Sequence, residues 1–213
     1  GAAVAAFAVG LQDELTGLPR DAGTQTGAVQ SIELPRLISG HTGGTRAVAF
    51  TEDGRRLVTA CADGTLKVWE TANGVEVRTI PLGDSTITAL AVSSGRALTG
   101  HDDGTLQLWD FVSGQKLGQF SRNQASVWSV AFMGEPDRFL ASGHDWIISV
   151  WDARAARAPI ITIEAHESAV QSVAYSPIGV LASGGADRLV KLWDATSGEL
   201  VRSYRGHRDF VSA

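Results

Sequence analysis

The stretch Leu181–Asp194, "LASGGADRLVKLWD", decides how the rest of the chain is read. An apolar run leads into Gly184, Gly185, Ala186 and Asp187, and then Leu189, Val190, Leu192 and Trp193 follow. Short apolar segments on either side of a Gly/Asp cluster read as strand, tight turn, strand. The same pattern is written three more times: "LVTACADGTLKVWE" (57–70), "ALTGHDDGTLQLWD" (97–110) and "FLASGHDWIISVWD" (139–152). Self-similarity at a fixed period outranks any local reading.

The spacing is tight. Trp69, Trp109, Trp151 and Trp193 are 40, 42 and 42 residues apart, and Asp63, Asp103, Asp145 and Asp187 each stand six residues before their Trp. Each unit holds about four short runs bounded by turn residues; "TRAVAF", "RRLVTAC", "TLKVW" and "VEVRTI" are those of the first. Four strands in roughly 40 residues make a small antiparallel sheet that cannot bury both faces alone. Such units stack on their neighbours, radially in a propeller. The fold class is therefore all-β. Its units run over 40–82, 83–121, 122–164 and 165–205, with an incomplete one at 206–213.

Composition agrees with a folded, turn-rich chain. Of 213 residues, 44% are hydrophobic and 19% charged, with 24 glycines. The net charge is -5 and no basic run is present, which argues against direct nucleic-acid binding. One cysteine, Cys61, forms no internal disulfide, so a disulfide-stapled scaffold is excluded and an intracellular setting, cytoplasmic or nuclear, is expected. The apolar opening "GAAVAAFAVGL" (residues 1–11) is shorter than the ~20 residues of a spanning helix, so membrane insertion is not expected. Residues 1–30 carry no repeat and read as an irregular arm with at most a short helix. "SIELPRLISGH" (31–41) reads as a strand leading into a Gly-His pair, like the later "LVRSYRGH".

These units resemble the WD-repeat family of β-propellers. Residues 31–213 carry the match: Trp-Asp or Trp-Glu closes each unit, Gly40-His41 and Gly206-His207 supply the family's Gly-His pair, and Ala165-His166 keeps the histidine. The resemblance implies a network in which that His bonds the turn Asp, with a Ser or Thr and the Trp completing it. Carried over here, it comprises His41, Thr59, Asp63 and Trp69 in the first unit, and His166, Ser183, Asp187 and Trp193 in the fourth. A buried carboxylate offers only acceptors, so histidine, hydroxyl and backbone donors are what it needs. Removing one member of a buried pair costs about 3–5 kcal/mol.

Two units depart from the pattern. The second has Gly83-Asp84 in place of Gly-His but keeps Thr99, Asp103 and Trp109. The third has Arg122-Asn123, and Ser142 stands nine rather than ten residues before Trp151, so its turn beside Asp145 is expected to be one residue short. Both are expected to be the looser units. The fifth, with His207, begins and stops. The chain therefore reads as a piece of a longer, seven-blade type of ring, with residues 31–39 as an outer strand closing it.

A search for chemistry returns structural answers. The histidines recur at loop and turn positions and lack zinc-ligand spacing, so no metal or cofactor is expected. Cys61 reads as a packed hydrophobe. The aspartates recur once per unit, as turn chemistry does, and no nucleophile or phosphate-cradling motif is present. Surface remains. Arg46, Thr88, Trp128 and Gln171 stand at one repeating position near the start of each first strand, and the resemblance implies that partners dock on that open face. Trp128 and Trp146 lie outside the repeat tryptophans, and Trp and Arg are enriched in interface hot spots. The expected function is a non-catalytic protein–protein interaction scaffold in a multi-subunit complex. The alternative is a regulatory or sensing propeller in a polypeptide with a catalytic region elsewhere.

Overall fold

The computed structural model describes residues 38–121, 125–155 and 158–212. The expected arm at 1–30, nearly all of the expected strand at 31–39, and Arg122-Asn123 fall outside these. The described residues form sixteen strands in four antiparallel sheets and no helix. The first blade holds β1 (Thr45–Phe50), β2 (Arg56–Cys61), β3 (Thr65–Glu70) and β4 (Glu76–Pro81). The second holds β5 (Ile87–Ser93), β6 (Arg96–His101), β7 (Thr105–Asp110) and β8 (Gln115–Ser121). The third holds β9 (Val127–Phe132), β10 (Arg138–Gly143), β11 (Ile147–Asp152) and β12 (Ile161–Glu164). The fourth holds β13 (Val170–Ser176), β14 (Val180–Gly185), β15 (Val190–Asp194) and β16 (Leu200–Tyr204). Each blade is a meander in chain order.

Alternation along the strands builds the layers between blades. Val58, Ala60, Leu66, Val68 and Ile80 of the first blade pack on Ile87, Ala97 and Trp109 of the second. Leu98, Leu106, Leu108 and Phe120 meet Val127, Phe139 and Trp151 in the next layer. There Phe120 sets its edge against Phe139 at 5.2 Å and Trp151 at 5.6 Å between centroids. Leu140, Ile148, Val150 and Ile163 meet Val170, Leu181 and Trp193 in the third layer. Each of these three tryptophans thus packs against the blade before its own. No core cluster among the described residues joins the fourth blade to the first, and Phe50 on β1 is 63% exposed.

The glycine pair of the opening stretch is corrected. Gly184 and Gly185 belong to strand β14, and the turn falls after them. A Cβ on Gly184 would lie 2.7 Å from the Val211 side chain, and one on Gly185 would strike the His166 ring and the Asp187 carboxylate. They are glycine because other groups approach the backbone closely, a recognised use of strand glycine.

Candidate interaction face

The hydrogen-bond relay behind the open face starts at the tryptophans. In the first blade Trp69 Nε1 donates to Thr59 Oγ1 at 2.8 Å, and Thr59 Oγ1 lies 2.7 Å from His41 Nε2. His41 Nδ1 lies 3.1 Å from Asp63 Oδ2. Since Asp63 can only accept, Nδ1 carries the proton, Nε2 accepts from the Thr59 hydroxyl, and that oxygen is free to accept from the indole. Burial alone would raise the Asp63 pKa, but the Thr65 hydroxyl, the Thr42 N–H and His41 hold it well below the usual carboxylate range. The fourth blade repeats the relay: Trp193 Nε1 to Ser183 Oγ at 2.9 Å, Ser183 Oγ to His166 Nε2 at 2.8 Å, and His166 Nδ1 to both Asp187 oxygens at 2.9 Å. Burial lowers the His166 pKa and outweighs the nearby Asp187 carboxylate, which opposes it. The neutral imidazole is therefore the working form.

The second blade builds a different relay. His101, fully buried at the end of β6, supplies the ring that the loop lacks, with Nε2 3.0 Å from Thr99 Oγ1 and Nδ1 3.4 Å from the Ser85 carbonyl. It stands where the other blades carry Cys61, Gly143 and Gly185. Asp103 is bound instead by the Thr105 N–H and hydroxyl. Trp109 Nε1 is buried with no partner among the described residues, as is Gln107 Oε1.

In the third blade Ser142 is corrected. The hairpin has the same length as the others, since Trp151 pairs with Phe139 as Trp69 pairs with Leu57. No turn residue is missing. Ser142 stands one place further along the strand than Thr59 or Ser183, and side chains alternate faces, so it points away from the indole. Its hydroxyl reaches the Val170 carbonyl at 3.5 Å. Ala141 occupies the expected position, and Ser149 on the adjacent strand accepts from Trp151 Nε1 at 3.0 Å. Sequence reasoning missed Ser149. Its signal was a serine two residues before Trp, where the other units carry Lys67, Gln107 and Lys191. Asp145 is half-buried and takes the Ile147 N–H at 3.4 Å, while His207 is exposed.

The four expected docking residues converge, and β-bulges are the reason. Each innermost strand skips one residue in its pairing with the next: Arg46 between Thr45 and Ala47, Thr88 between Ile87 and Ala89, Trp128 between Val127 and Ser129, Gln171 between Val170 and Ser172. A bulge leaves its extra residue out of the ladder and re-aims the side chain. All four border one cavity of about 500 Å³, together with Ser212, which holds the corresponding place in the fifth unit. The Trp128 ring meets His144 edge-on, with centroids 5.7 Å apart. Trp146 does not line this cavity. It is 52% exposed at φ 67°, a left-handed turn position held by Gly64 (φ 75°) and Gly104 (φ 83°) in the first two blades. A bulky residue there is strained.

The sequence profile of the WD domain, G-beta repeat, matches residues 32–70, 74–110, 114–152 and 157–194. The chain belongs to the WD-repeat family. It is 30% identical over 191 residues to the DENN domain and WD repeat-containing protein SCD1 of Arabidopsis thaliana, covering 83% of this chain and 16% of that protein. It is 26% identical to the apoptotic protease-activating factor 1 of Rattus norvegicus, over 84% of this chain and 15% of the relative. The serine-threonine kinase receptor-associated protein of Gallus gallus is 26% identical, over 78% of this chain and 47% of the relative. The chain thus spans less than half the length of these curated relatives. Among solved structures, the computationally designed Ika8 protein superposes with a TM-score of 0.72 at 31% identity, over 81% of this chain and 52% of that one. These WD-repeat blades are the frame on which the bulge residues are mounted.

Proposed function

We propose that this WD-repeat chain is a non-catalytic platform for protein–protein assembly, with partners seated over the cavity at the centre of its open face. One observation supports the reading above others: residues as far apart in sequence as Arg46 and Gln171 are turned by equivalent bulges into one opening. Bulges beside a site commonly re-aim side chains for use. Rigid sheets behind the opening keep the ordering cost of binding low. Trp128, half-buried and braced by His144, is the aromatic anchor of the surface. Alanine at Trp128 should release a co-purifying partner while leaving the thermal midpoint unchanged. Undiminished recovery by both Trp128→Ala and Arg46→Ala would count against this reading.

A second reading, a regulatory propeller inside a longer polypeptide with a catalytic region elsewhere, draws support from relatives of which this chain matches only 16% and 15%. Activity assays of the intact natural polypeptide, with and without Trp128→Ala, separate the two.

A further inference from the structure

Charge is distributed unevenly between the cavity and the loops around it. Among the described residues, Arg46 is the single charged one on the cavity wall, and no carboxylate side chain lines it. Its other walls are neutral: Gln171 and Ser212 offer polar groups, and the Thr88 hydroxyl is already turned back to the Gly100 carbonyl at 3.0 Å. Arg56, Arg96 and Arg154 each face a carboxylate of this chain. Arg46 is exposed and has no such partner among the described residues. The loops at the same end are mixed in sign with an acidic excess among the described residues: Asp84, Asp102, Asp103, Glu167 and Asp209 are exposed there, against Arg188, Arg205 and Arg208.

We infer that the partner segment seated here inserts one carboxylate side chain against Arg46, beside an apolar residue on Trp128, and carries basic residues on either side. This rests on the reading of the cavity as a docking site and names the chemistry of its occupant. A guanidinium matches a carboxylate in a planar, two-bond geometry and holds its charge at any accessible pH. Flanking lysines or arginines meet the acidic excess of the loops, and complementary potentials of this kind set specificity and encounter rate. A polyacidic or multiply phosphorylated segment would find one cation at the centre and net repulsion around it.

The test uses fluorescein-labelled Lys-Lys-Leu-Glu-Leu-Lys-Lys, its Gln-centred counterpart and an all-Glu-flanked version, titrated by anisotropy with the full chain. The Glu-centred basic peptide should bind at least tenfold tighter than the Gln-centred one and tighter than the acidic-flanked one. Arg46→Glu should erase the Glu preference, and thermal melting of that variant confirms that it is folded. Equal binding of the Glu and Gln peptides, a preference for the acidic-flanked peptide, or no binding of any would overturn the inference. If both basic peptides bind equally and Trp128→Ala weakens both, the docking reading stands and the carboxylate falls. If Trp128→Ala changes neither, the docking reading itself falls.

Discussion

At the scale of single residues, the repeat works through one hydroxyl per blade. In the first and fourth blades Thr59 and Ser183 each join an indole N–H to an imidazole, so one small side chain satisfies two buried partners. The third blade takes its hydroxyl from Ser149. Ser149→Ala leaves the Trp151 N–H buried and unpaired, which costs about 1–3 kcal/mol. Ser142→Ala removes only a 3.5 Å contact to a carbonyl and should cost well under that, about 0.5 kcal/mol. Urea midpoints of the two variants check the order; a larger loss at Ser142 would restore the position read from the sequence. The imidazoles also set a pH response. His101 and His166 have pKa values lowered by burial, so the folded chain binds fewer protons there than the unfolded chain. The stability they carry is present above the unfolded value of about 6.5 and is lost as pH falls toward the folded one. Asp63 and Asp187 also have lowered values, because their hydrogen bonds outweigh burial, and their contribution is lost only below about pH 4. Calorimetry should therefore show the melting temperature falling in two stages on acidification, first from about pH 6.5 and again below about 4. A melting temperature that rose between pH 7 and 5 would contradict the neutral-imidazole relay.

At the scale of the blade, the second is the odd member. With the Thr99 hydroxyl beside His101, the Trp109 indole N–H is left without a partner. A phenylalanine there gives up packing but also removes an unsatisfied donor, whereas Trp69→Phe breaks a made bond. Trp109→Phe should therefore be milder than Trp69→Phe by about 1–2 kcal/mol in urea unfolding. Hydrogen exchange should place the second blade below the first and fourth in protection, and the best protection in the second would sink the idea. The strands themselves were legible in the sequence, because period-2 alternation, turn residues and the Trp spacing all repeat. The first and fourth relays were open to reading through the family resemblance, since each member sits on its own expected position. His101 was not, because its ring arrives from inside a strand rather than from the loop where a histidine is sought. Ser142 misled for a similar reason: one place along a strand is a small change in sequence and a reversal of face in space. The convergence of Arg46, Thr88, Trp128 and Gln171 was visible as a repeated position, but its cause was not. A bulge is a property of two strands in register, and no single segment spells it out.

At the scale of the whole molecule, the blades touch mainly their neighbours in order, so stability is a chain of blade terms and interface terms. The middle interface carries both kinds of glue. Phe120 fits between Phe139 and Trp151, and on the same seam Arg96 of the second blade pairs with Asp137 of the third and reaches the Pro136 carbonyl at 3.4 Å. Removing a buried phenylalanine costs about 3–5 kcal/mol. Phe120 stands on β8, the outer strand of its blade, yet its ring belongs to the layer that joins the first two blades to the last two. The cost falls on that interface as well as on its own blade. Phe120→Ala should therefore lower cooperativity as well as stability. Trp151 lies in the cut layer, so tryptophan fluorescence should change at lower urea than far-UV circular dichroism, which follows strands in every blade. Coincident transitions by the two probes would mean that the four blades unfold as one unit, with the interfaces stronger than the blades they join.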